Sequence, residues 1–72
     1  MKKIGEQIES GVRLLTVELS EDELAVLLAS VEYLLDHADD AVLEATAGAG
    51  RDEIEGIRDD MAQLLAILQP SH

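Results

Sequence analysis

The sequence predicts a mainly α domain: an N-terminal β-strand or hairpin at about 12–19, then an antiparallel helical hairpin, assembled as a homodimer. Three observations carry this. The chain has 72 residues, which bounds it to a single small domain over 1–72, because so short a chain supports one modest core. Two long stretches repeat apolar residues at helical spacing, and one earlier stretch is β-branched and apolar.

Val12-Arg13-Leu14-Leu15-Thr16-Val17-Glu18-Leu19 puts Leu15, Val17 and Leu19 on one face of an extended strand. A lone strand leaves its backbone groups unpaired. Either Ile4 to Glu9 folds back across Ser10-Gly11, or the same strand of a second chain pairs about a two-fold axis. Ile4 and Ile8 also suit a helical turn, which favours the second option.

Ser20-Glu21-Asp22-Glu23 reads as a capping box and opens a helix at about 21–38. Leu24, Leu27, Leu28, Val31, Leu34, Leu35 and Ala38 form its stripe, widened by Val26 and Tyr33. The helix either continues to Ala47 or is followed by a short one capped by Asp39 or Asp40. Ala47-Gly48-Ala49-Gly50 closes it, since glycine accepts left-handed backbone. Asp52-Glu53-Ile54-Glu55 starts the last helix, about 52–69, with Ile54, Ile57, Met61, Leu64 and Leu68 in register and Pro70 as the stop. Interior Gly56 suggests a close backbone approach.

The order strand, helix, helix, with Val12–Leu19 running into Ser20-Glu21-Asp22-Glu23-Leu24 and Arg51–Arg58 further on, resembles the ribbon-helix-helix repressors and antitoxins. That resemblance implies a shared style of dimerisation. It departs from the family in the roughly thirty residues between Ser20 and Arg51 and in a strand that alternates Leu14, Thr16 and Glu18 with Arg13, Leu15 and Val17. The resemblance does not extend to a DNA-reading role.

Sixteen acids face five bases, for a net charge of −11. Residues 1–20 balance at zero, so the charge belongs to 21–72. Such a surface repels nucleic acid and anionic membranes and attracts basic protein surfaces. No apolar run reaches the roughly 20 residues of a membrane span. The lack of Cys removes disulfides and thiolate ligands and fits a reducing cytoplasm. Asp36, His37, Asp39 and Asp40 are the only candidate metal or acid/base cluster, but neighbouring positions on a helix diverge by about 100°. No nucleophile constellation or phosphate loop is present, so neither an enzyme nor a cofactor or metal site is expected.

The leading function expected is a non-catalytic acidic module or inhibitor docking on a basic protein partner, in its sharpest form a nucleic-acid charge mimic. Glu21, Glu32, Asp36, Asp39, Asp40, Glu55, Asp59 and Asp60 would carry that contact. The alternative is a self-associating structural or regulatory helical protein, an antitoxin-like dimer, whose acids only solvate it. Leu15, Val17, Leu27, Val31 and Tyr33 would then form the self-association surface.

Overall fold

A computed structural model describes residues 1–68 and shows a two-stranded antiparallel sheet followed by three helices. Strands β1 (Lys2–Glu9) and β2 (Val12–Glu18) precede helices α1 (Glu21–His37), α2 (Asp40–Ala47) and α3 (Arg51–Leu68). The expected stop at Pro70, the end of the last helix at 69 and His72 lie outside the described residues.

The segment at 12–19 finds a strand partner within the chain. Ser10 (φ 51°) and Gly11 (φ 79°) are both left-handed. A two-residue hairpin turn whose twist matches its strands requires that geometry. The register pairs Glu9 with Val12, Gln7 with Leu14 and Glu6 with Leu15. A bulge between Lys3 and Gly5 shifts the ladder by one residue at Ile4. Ile4 and Ile8, whose spacing also suited a helical turn, are therefore strand residues.

Local chemistry sets each helix start. Ser20 Oγ accepts the Glu23 N–H at 3.0 Å, and the Glu23 carboxylate accepts the Ser20 N–H at 2.9 Å, closing the expected capping box. The chain breaks at Ala38, which is extended (φ −103°, ψ 140°). Asp39 then caps a separate short helix by accepting the Val42 N–H at 2.9 Å. Of the two readings open at 39–47, the structure adopts the short second helix. An aspartate carboxylate competes well for amide donors at this position.

Gly48 (φ 69°) ends α2 in the left-handed conformation. Ile54 N–H donates to the Gly50 carbonyl at 3.1 Å, so α3 starts one residue earlier than the Asp52 signal suggested. Gly56 does not mark a close approach: a Cβ built there would meet nothing within 4 Å.

Leu35, Leu43 and Ile54, one from each helix, form the core, with Leu43 at 0% exposure. Val31, Leu34, Ala38 and Ala49 pack around them. Leu24 is the only other buried hydrophobic among the described residues. The molecule is a slab, 38 × 35 × 18 Å, with a radius of gyration of 14.0 Å. A compact chain of this length would have a radius near 11 Å.

Candidate interaction surfaces

Arg51 organises the helical end of the molecule. From the first turn of α3 its guanidinium donates to the Leu35 carbonyl at 2.9 Å, the Ala38 carbonyl at 2.7 Å and Asp40 Oδ1 at 2.8 Å. Two of these acceptors belong to the last turn of α1 and its cap, where helical carbonyls lack partners. The third sits at the start of α2. The hydrogen bond to Asp40 raises the Arg51 pKa further, helped by the charges of Asp40, Glu55 and Asp39 and opposed by partial desolvation. Sequence reasoning did not assign this role to Arg51. Its signal is a rare cation placed directly after the Gly48–Gly50 turn in an acid-rich half.

The eight acids expected to carry a docking site do not form one array. Glu32 and Asp36 are a turn apart on α1, and Glu55 and Asp59 a turn apart on α3. Asp60 projects about 100° from Asp59. Glu21 stands in the first turn of α1. Asp39 is occupied as a cap, Asp40 pairs with Arg51, and Asp59 pairs with Arg58 at 3.0 Å. Glu55 is half-buried and the other seven are exposed.

His37 closes α1 with Nδ1 3.0 Å from the Tyr33 carbonyl, and its ring stacks on Tyr33 at 4.0 Å between centroids. Among the described residues, no three His, Asp or Glu side chains converge on a metal-sized site.

The apolar residues expected to mediate assembly are open to solvent, apart from half-buried Val31, which packs on the core. Val17 is 39% exposed; Leu15, Leu27 and Tyr33 are also exposed. The structure adds residues that were not singled out for this role. Ile4, Ile8, Val12 and Leu14 are exposed on the hairpin, with Ile8 at 70%, and Ile57, Leu64 and Ile67 are exposed on α3. Neither strand packs extensively on a helix; the hairpin is tied to α1 at its base by the Met1 ammonium, 2.5 Å from Glu23. That contact, followed by the capping hydrogen bond from Ser20, lowers the Glu23 pKa. A shallow pocket of 350 Å³ lies beside it, lined by Met1, Asp22, Glu23, Val26 and Leu27.

Comparison with protein-family models, with curated proteins and with solved structures finds no match to this chain. In ribbon-helix-helix proteins the strand pairs across the dimer, whereas here it pairs within the chain. No described helix is long and apolar enough to cross a membrane.

Proposed function

We propose that this chain is a non-catalytic, self-associating module, working as a homodimer in a reducing cytoplasm, whose functional surface is apolar and whose acids keep it soluble. The helices α1 and α3 form its antiparallel pair, a reading supported by Arg51 at the start of α3 reaching the end of α1. The observation that carries the proposal is the hairpin: every residue of β2 is exposed, Val12, Leu14, Leu15 and Val17 included. An isolated two-stranded hairpin is marginal in water, and exposed apolar patches of this kind mark interaction sites.

Surface area supports the same reading. The chain exposes 5648 Å², where a compact 7.8 kDa monomer exposes about 4,400 Å². Subtracting the roughly 640 Å² that residues 69–72 could add at most still leaves an excess near 600 Å². That is about what each partner buries at the lower end of the standard interface range.

Sedimentation equilibrium at low and near-molar salt tests the proposal. A dimer at both salts is expected, tighter at high salt as like-charge repulsion is screened. A monomer at both would refute it.

A second reading, docking on a basic protein surface or mimicking nucleic acid, draws support from Glu32 and Asp36, which pair with no cation among the described residues. It expects a partner captured from lysate at low salt and released at high salt, with capture abolished when Glu32 and Asp36 are changed to Lys.

A further inference from the structure

Two surfaces of the molecule lack partners, and they complement each other. On α1, Val26, Leu27 and Tyr33 share one exposed side, bordered by the core-packed Leu34, and Ser30 between them returns its hydroxyl to the Val26 carbonyl at 2.8 Å. On α3, Ile57, Leu64 and Ile67 line an exposed strip, and Glu53 and Asp60 lie on the same strip at three- and four-residue spacing. In an antiparallel pair of right-handed helices that meet through Leu35 and Ile54, both strips fall on the same side of the pair.

The hairpin offers the counterpart. Its register places Glu6, Ile8, Arg13, Leu15, Lys3 and Val17 on one face. Glu6 is neutralised between Lys3 and Arg13. The face is therefore apolar with a net positive balance.

We infer that the hairpin of one copy lies across the exposed face of α1 and α3 in a second copy, reciprocally about a two-fold axis. The inference rests on the self-association proposed above and adds which faces meet. Dimensions agree: seven strand residues span roughly 23 Å, and the 17 and 18 residues of α1 and α3 span roughly 26 Å.

Charge agrees as well. Helix face against helix face would press together two bodies that each hold thirteen acids and two bases after Leu19. Hairpin on helices instead sets Lys3 and Arg13 near Glu53 and Asp60. The product is a second layer over each 18 Å slab, the arrangement by which a sheet and helices normally bury their apolar sides.

A hairpin folding onto its own helices is opposed by its base. Only Leu19 and Ser20 link β2 to α1, Ser20 is committed to the capping box, and Met1 is held by Glu23.

The chain has no cysteine, so disulfide trapping reads the geometry directly. Full-length Leu15→Cys, Ile57→Cys and Leu64→Cys would be prepared separately and checked for helical circular dichroism. The hairpin variant would then be mixed with each helix variant and oxidised. The expected result is a mixed hairpin–helix disulfide at Ile57 or Leu64 well above the twofold excess over each homodimeric product that random pairing gives, and a return to that random share when the oxidation is carried out in denaturant.

Dominant Leu15–Leu15 or helix–helix products, from a chain that sediments as a dimer, would overturn this arrangement and leave self-association standing. An intramolecular disulfide in the double variant Leu15→Cys/Leu64→Cys, or monomeric sedimentation, would overturn it too; the monomer would remove the underlying proposal as well.

Discussion

Arg51 joins the end of α1 to the start of α2 from the first turn of α3 through three hydrogen bonds. A lysine presents one point charge and cannot reproduce a planar fork. Both Arg51→Ala and Arg51→Lys are expected to lower the thermal midpoint by several degrees, with Lys recovering little; a Lys variant that melts like the parent would show that charge alone matters.

Glu23 gives a dependence on acid. Its folded pKa lies below the ordinary 4.5, chiefly because the N-terminal ammonium hydrogen-bonds to it. Its contribution is therefore complete above that ordinary value and is lost as pH falls through the lower folded one. Urea midpoints of the parent and of Glu23→Gln should differ at neutral pH and converge in acid. The capping box was legible in the sequence because its partners are three residues apart. The Arg51 contacts span 11 to 16 residues, a distance over which local pattern carries no signal.

Among the elements, the helices follow from periodicity and caps, and their ends fall within a residue of expectation where described. The strand was equally visible, but its partner was not, because an unpaired edge accepts a neighbour from its own chain or another alike. Ser10-Gly11 decides for the hairpin by accepting left-handed backbone at both positions. On α1, Val26 and Tyr33 widen the stripe in sequence, and both are open to solvent in the single chain.

Gly56 and Gly48 separate two uses of glycine. Gly56→Ala sits in an exposed helix interior with open space for its Cβ, so it should stabilise by about 0.5–1 kcal/mol. Gly48→Ala meets a left-handed φ of 69° and should cost roughly 1–2 kcal/mol. Urea denaturation of the two variants checks both signs, and a destabilising Gly56→Ala would reveal an approach to that face in the assembled protein.

For the whole molecule, charge and burial pull in opposite directions. A small core supports a slab with a net charge of −11, and self-repulsion of that size weakens a compact state. Salt should therefore raise the thermal midpoint, most steeply at low ionic strength, where exposed charges interact over the longest range. A midpoint indifferent to salt would mean that the acids are already matched by cations. The candidate docking acids were readable as a count but not as a surface, because caps and ion pairs that use Asp39, Asp40 and Asp59 depend on where the chain turns. Tyr33 carries a different consequence. It is the sole aromatic side chain apart from histidine in a protein without tryptophan, and it lies flat on the His37 ring at the end of α1. All intrinsic ultraviolet emission thus comes from one phenol with an imidazole as its quenching neighbour, so the native chain, unlabelled, reports optically on the fraying of that helix end and on anything that settles over it.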